Sequence, residues 1–338
     1  MVETKWVVLI AVAIAVTGCT KKEAPAPAAE EKAVVEQEKP AAPVEPILPL
    51  PDKADVNMDK VMLGRSLYFD TALSGDGTIS CATCHSLDHG GAEPRKTSTG
   101  IGGQVGPINS PTVLNSSYNF VQFWDGRAKD LQEQAAGPVE NPMEMGAKWD
   151  NVVKRLGKNA EYVAAFAKLY DDGITKNNAT DAIAEYEKSL ITPSRFDAFL
   201  NGDDAAITEA EKQGYATFKE VGCTACHSGI IAGGAMFQKM GLVADYFKDR
   251  GTAITDADLG RYNVTKKEQD KHFFKVPTLR NVELTSPYLH DGSQASLEDV
   301  VKVMGKYQLG RELSDAQING IVTFLKSLTG KLPPHARP

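Results

Sequence analysis

Apolar positions recur at helical spacing over much of the chain, and runs with the two-residue alternation of strands are few and short. Two segments share one amphipathic pattern. Gly64-Arg-Ser-Leu-Tyr68-Phe69 and Gly214-Tyr-Ala-Thr-Phe218 each place an aromatic residue about one turn after a glycine. Ile183, Tyr186 and Leu190 lie on one helical face and predict a helix over 181–190. A further helix is predicted over 314–328, with Ser314 as its N-cap and Gly330 as its stop. The fold class this pattern predicts is mostly α, built as two units in tandem. The boundary falls in the turn Phe199–Ala205, which divides the folded part into 52–200 and 201–335.

The first segment does not belong to either unit. Val7 to Val16 is an apolar run of ten residues, whereas crossing a bilayer takes about 20. It ends in Val16-Thr17-Gly18-Cys19, and small residues before a cysteine at this distance from Met1 resemble a bacterial lipoprotein signal. That resemblance implies cleavage before Cys19 and lipidation of its thiol, with 1–19 as signal peptide. Against it, Lys5 is the sole cation ahead of the run and Glu3 offsets it, so an uncleaved anchor or an ordinary signal peptide stays open. Residues 20–51 are rich in Ala, Pro, Glu and Lys. Such a composition buries no core and predicts a disordered tether.

Over 338 residues the net charge is −7, which argues against nucleic acid as the partner, because a phosphate binder needs a basic face. The five cysteines carry more information: Cys19 and two pairs, Cys81/Cys84 and Cys223/Cys226. Each pair reads C-x-x-C-H, closed by His85 or His227. With 6 His in 338 residues, a histidine follows both pairs by chance on the order of once in a few thousand. Disulfides would account for the cysteines and not the histidines. A zinc site needs four ligands together, and these pairs lie 142 residues apart. The spacing suits a c-type haem: two thiols bond the two porphyrin vinyl groups and the next imidazole reaches the iron. The chain therefore predicts two covalently bound haem c groups, held by Cys81, Cys84 and His85 and by Cys223, Cys226 and His227.

The sixth ligand decides between electron transfer and chemistry, because a His/Met pair favours transfer and an open position admits a substrate. After His227 the methionines are Met236, Met240 and Met304, and on spacing alone Met304 is as readily a core residue as a ligand. After His85 no methionine comes before Met143 and Met145. His89 lies four residues on, too near to reach the opposite haem face. The first haem is thus expected to keep an accessible face.

The segments LGRSLYFDTALSGDGTISCATCH (63–85), GPINSPTVLN (106–115), FWDGRAKDLQEQAAGPVENPMEMG (123–146), FKEVGCTACHSG (218–229), VPTLRNVELTSPYLHDGS (276–293) and VMGKYQLGRELS (303–314) resemble, in order, the bacterial di-haem cytochrome c peroxidases. The resemblance implies a periplasmic enzyme that reduces hydrogen peroxide to water. The haem on His85 would react with peroxide, and the haem on His227 and Met304 would take electrons from a small c-type cytochrome or cupredoxin. It implies Glu144 as proton-transfer group, Gln134 as an orienting amide and Trp124 between the haems. It also implies a structural calcium at Asn109, Thr285 and Pro287, a haem propionate near His290, and, as in many members, a homodimer. One position departs. Many members ligate the resting peroxidatic iron with a histidine where this chain has Ile101, so the site is expected to be open and to need little reductive activation. The competing readings are a di-haem electron carrier, a peroxide sensor, and the related enzymes that oxidise a protein tryptophan. The last use a tyrosine where this chain offers Met304.

Overall fold

Asn57 starts the first helix, α1 (Met58–Phe69), by accepting hydrogen bonds from the backbone N–H groups of Asp59 and Lys60 on its side-chain oxygen. Capping of this kind recurs through a mostly helical chain. The computed structural model describes residues 45–338. The signal-type segment 1–19 with Cys19, and the tether as far as Val44, lie outside the described residues. The first haem-type motif forms a single turn, α2 (Cys81–Cys84). It is followed by α3 (Leu131–Glu140), α4 (Trp149–Leu156), α5 (Ala160–Leu169), α6 (Lys176–Ser189), α7 (Arg195–Leu200) and α8 (Glu209–Val221). Gly222 closes α8 at φ 102°, a conformation that suits glycine, and a 3₁₀ turn over Cys223–Ala225 carries the second motif. Then come β1 (Phe237–Lys239), α9 (Tyr246–Arg250), α10 (Tyr262–Thr265), β2 (Phe273–Lys275), α11 (Leu297–Gln308) and α12 (Asp315–Ser327). β1 and β2 pair antiparallel, with Gln238 opposite Phe274.

The shared glycine–aromatic pattern marks two equivalent helix crossings. Gly64 of α1 lies against the Ala182 carbonyl of α6, and Gly214 of α8 against the Gly320 carbonyl of α12. A Cβ at either glycine would overlap that oxygen. One turn on, Tyr68 packs on Tyr186 with ring centroids 5.0 Å apart, and Phe218 on Phe324 at 5.1 Å. α12 begins at Asp315 on the expected Ser314 cap. α6 begins at Lys176, earlier than its apolar spacing suggests, because Thr175 caps it by accepting from the Asn178 N–H at 3.2 Å.

Separate apolar clusters surround the two crossings. One gathers Leu67, Leu73, Val152, Phe166 and Ile183, and the other Phe218, Ile321, Phe324 and Leu325. Neither follows the chain order strictly. Phe196 of α7 joins the second cluster. Near the C-terminus, Leu332 and Ala336 pack beside Tyr68 and Tyr186 of the first half, where Tyr186 Oη donates to the Ala336 carbonyl at 2.6 Å. At the other end Ile47, fully buried, joins the second cluster, and the Leu50 N–H donates to Asp197 at 2.7 Å. Residues 45–51 are therefore part of the folded body. The tether expectation, which ran to Pro51, is corrected there: Ile47 and Leu50 are apolar enough to dock despite the flanking prolines. No helix among the described residues is long and apolar enough to cross a membrane.

Candidate functional site

Both imidazoles of the paired motifs are fixed in the same way. His85 Nδ1 lies 3.3 Å from the Gly91 carbonyl, and His227 Nδ1 lies 3.1 Å from the Ala232 carbonyl. Donation from Nδ1 leaves the Nε2 lone pair free, the tautomer an iron ligand needs. Burial lowers the proton affinity of both rings, against the opposing pull of those carbonyls and of Pro111 and Pro277. Both therefore favour the neutral form. The four cysteines are unpaired. Burial pushes the thiols of Cys81 and Cys223 up to about 12 and that of Cys84 to about 11. Such thiols are poor nucleophiles and suit the apolar wall of a porphyrin crevice.

The second motif opens on a cavity of about 1720 Å³ including its mouth. Cys223, Cys226 and His227 line it together with Met304 from α11 and apolar side chains of α8, α11 and α12. Tyr307, one turn beyond Met304, gives its hydroxyl to Asp249 at 3.0 Å instead. Lys275 also lines this cavity. It is 7 % exposed and its Nζ finds the Asn119 amide oxygen at 3.1 Å. Burial pulls its proton affinity down to about 8. A buried ammonium with a neutral partner calls for an anion, and a haem propionate supplies one. The cavity thus fits a haem in its ligands and its charge. The sequence reading missed Lys275, although a lysine between Phe274 and Val276 in an apolar run was a visible signal. His290 lines the same cavity, but its Nε2 is 2.8 Å from Asp258 Oδ1. Burial disfavours the Asp258 carboxylate, yet Arg250, the Thr255 N–H and His290 together hold it well below the usual range. Asp258, His290 and Asp291 cluster as a metal site would, but Arg250 bonds both carboxylates and supplies the positive charge.

Around the first motif, Tyr68 Oη donates to the His85 carbonyl at 2.6 Å. Glu144 lies in the turn that follows α3. This turn is tied by Asn141, whose carbonyl accepts from the N–H groups of Glu144 (3.0 Å) and Gly146 (2.9 Å). Asn141 Nδ2 donates to Glu144 Oε1 at 2.7 Å. Glu144 shares a second pocket with Phe123, Arg127, Pro138 and Asn141. Burial raises its proton affinity, and Arg127 and Asn141 oppose the rise. The turn that carries it is tied to the segment ahead of the first motif, where the Gly75 N–H donates to the Met145 carbonyl at 2.7 Å. Gln134 is half-buried on α3 and makes no side-chain hydrogen bond among the described residues. The Ile101 N–H donates to the Glu144 carbonyl at 2.8 Å, and the Ile101 side chain meets Gly146. His89 is exposed.

The dipeptide Phe123-Trp124 joins the two sites. Phe123 has φ 67°, an uncommon conformation for an aromatic residue. Phe123 lines the pocket of Glu144, while Trp124 lines the cavity of His227. Trp124 Nε1 donates to the Asn109 carbonyl at 2.9 Å, and its own carbonyl accepts from the Lys275 N–H at 2.8 Å. Asn109 Nδ2 is taken up by the carbonyls of Arg95 and Lys96, which leaves Oδ1 without a donor among the described residues. Thr285 and Pro287 line the same cavity as Asn109.

Comparison with known proteins agrees with this arrangement. The sequence pattern of the family described as di-haem cytochrome c peroxidase matches residues 58–205. The chain is 51% identical over 293 residues to the cytochrome c peroxidase Ccp of Escherichia coli (strain K12), a match over 86% of this chain and 62% of that protein. This chain thus spans less than two thirds of that relative. It is 47% identical over 296 residues to the cytochrome c551 peroxidase of Nitrosomonas europaea, covering 87% of each. Among solved structures, a MauG-like protein associated with microbial copper homeostasis superposes with a TM-score of 0.72 at 26% identity, over 86% of this chain and 95% of that one.

Proposed function

This chain belongs to the di-haem cytochrome c peroxidase family, and on that premise we propose that it reduces hydrogen peroxide to water beside His85 with electrons received beside His227. One observation carries the reading. A half-buried carboxyl, Glu144, is held by Asn141 in a turn tied to Gly75 and Ile101, on either side of the first motif, while the second motif shares its cavity with a methionine, Met304. When bound, two haem c groups supply the iron that coordinates peroxide and the redox centre that stores an electron.

His85 Nε2 would hold the first iron, and His227 Nε2 and Met304 Sδ the second. Glu144 takes the proton from the inner peroxide oxygen and returns it to the outer one, so that water can leave. A carboxyl moved toward neutral pH by burial and held back by Arg127 is suited to both halves of that transfer. Gln134 orients peroxide, and Trp124 packs along the path between the sites. Overall, two electrons and two protons convert one peroxide to two waters. Small c-type cytochromes or cupredoxins are the donors. Asn109 Oδ1 and the carbonyls of Thr285 and Pro287 would hold a calcium ion, which would fix the spacing of the halves. A periplasmic location, a lipidated Cys19 and a homodimer complete the reading.

Ile101 has no atom that ligates iron and His89 is exposed, so neither would close the free face of the first iron in the oxidised enzyme. The test compares peroxide turnover by fully oxidised and half-reduced holoenzyme, with spectra of each haem. Turnover by both forms is expected, without a low-spin bis-histidine signal from the first haem. Such a signal, or inactivity until the second haem is reduced, removes the open site. Absence of turnover in both forms removes the peroxidase reading.

A further inference from the structure

α6 carries an acid where the equivalent helix carries an apolar residue. The crossings match Gly64 with Gly214, Tyr68 with Phe218, Ala182 with Gly320 and Tyr186 with Phe324. In that register Glu187 corresponds to Leu325, which lines the haem cavity of the second half. Glu187 is 5 % exposed, and its carboxyl makes no hydrogen bond among the described residues. Its charge raises the proton affinity of Tyr68 from α1, Cys81 from α2, and Tyr186 beside it. The nearby cations turn elsewhere: Arg65 to the carbonyls of His335 and Arg337, and Arg337 to Asp88. Of the other buried acids of this half, Asp197 pairs with Arg280, and Glu93 acts on Cys84 and His85 and is bonded by Ser110 at 3.2 Å. Burial alone pushes Glu187 up to about 8.

We propose that Glu187 is a redox-tuning, proton-accepting residue of the first haem. The inference rests on the reading that a haem is bound at Cys81, Cys84 and His85. One-electron reduction of that iron, from a protein or chemical donor, removes one positive charge from an apolar surrounding. A Glu187 carboxylate oxygen then takes up one proton from solvent, and reoxidation releases it. The carboxylate favours ferric iron, so the potential of the first haem falls as pH rises toward and past neutrality. The second haem, walled by Leu325 and faced by Lys275, has no such acid at this position. A donor that reduces the second haem therefore leaves the first ferric, the state that receives peroxide.

The experiment is a spectroelectrochemical titration of the full-length holoprotein from about pH 6 to about pH 9, on either side of ordinary His and Cys titration. In the wild type the first haem's potential is expected to fall with pH. In Glu187→Gln it rises at the alkaline end and most of that dependence is lost, while the second haem is unmoved. The reduced-minus-oxidised infrared difference spectrum shows a protonated carboxyl band in the wild type and loses it in the variant. Leu325→Glu gives the converse reading: the second haem's potential falls and becomes pH-dependent. An unchanged slope in Glu187→Gln, an equal shift of both haems, or a second haem indifferent to Leu325→Glu overturns the proposal. Peroxide turnover by the wild type is scored separately. Turnover with an unmoved potential discards Glu187 alone, and a moved potential without turnover discards the peroxidase reading alone.

Discussion

At the scale of single residues, the pocket of Glu144 is a contest between desolvation and two polar neighbours. Burial raises the carboxyl's proton affinity, and Arg127 and Asn141 lower it. On the proposed function, proton transfer from peroxide needs the carboxylate, so Glu144→Gln is expected to lower turnover by roughly 10²–10⁴-fold. Haem content and both haem spectra should stay as in the wild type; loss of either would make the residue structural. Asn141→Ala removes the 2.7 Å hydrogen bond to Oε1 and lets burial prevail. The acid limb of the kcat/KM profile should then move to higher pH, since more of the carboxyl is protonated at any given pH. A limb that stays in place would show that Asn141 acts on the turn and not on the carboxyl. Glu144 was legible through its place in a family motif. Asn141 and Arg127 were not, because nothing in the order of residues says which side chain of a turn reaches the carboxyl.

Between elements, the decisive contact is backbone against backbone. At Gly64 and Gly214 two helices approach until there is no room for a methyl group. Gly64→Ala or Gly214→Ala is expected to cost about 1–3 kcal/mol through overpacking, read from denaturant unfolding of the holoprotein. Unfolding midpoints equal to wild type would show that the crossings relax freely. The glycine–aromatic repeat was visible along the chain, as were the capping residue and length of α12. The start of α6 was not, because Thr175 supplies its cap from a stretch without apolar periodicity. The element reading also missed the repeat Pro111-Thr-Val-Leu-Asn115 and Pro277-Thr-Leu-Arg-Asn281, in which both asparagines adopt positive φ, at 58° and 61°.

Over the whole molecule those two asparagines converge. Asn115 Nδ2 and Asn281 Nδ2 each donate to Thr192 Oγ1 at 2.8 Å, and Thr192 is fully buried between the halves. Close by, Arg280 is buried against Asp197 at 2.7 Å and also donates to the Leu48 carbonyl. Arg280→Met leaves the Asp197 carboxylate buried and uncompensated, so a loss of about 3–5 kcal/mol is expected. Thermal unfolding with both haems in place measures it. A near-neutral result would mean that water reaches Asp197. By itself the sequence determined the helical class, the two C-x-x-C-H attachment points and the family, since these rest on local periodicity and on spacing along a few residues. Tertiary structure alone decided which acid lies beside which motif, that residues 47–50 and 332–336 pack on the opposite halves, and that Lys275 and Glu187 are buried. Those facts depend on contacts between residues distant in the chain, and burial sets the charge of an ionisable group more strongly than its neighbours in sequence do.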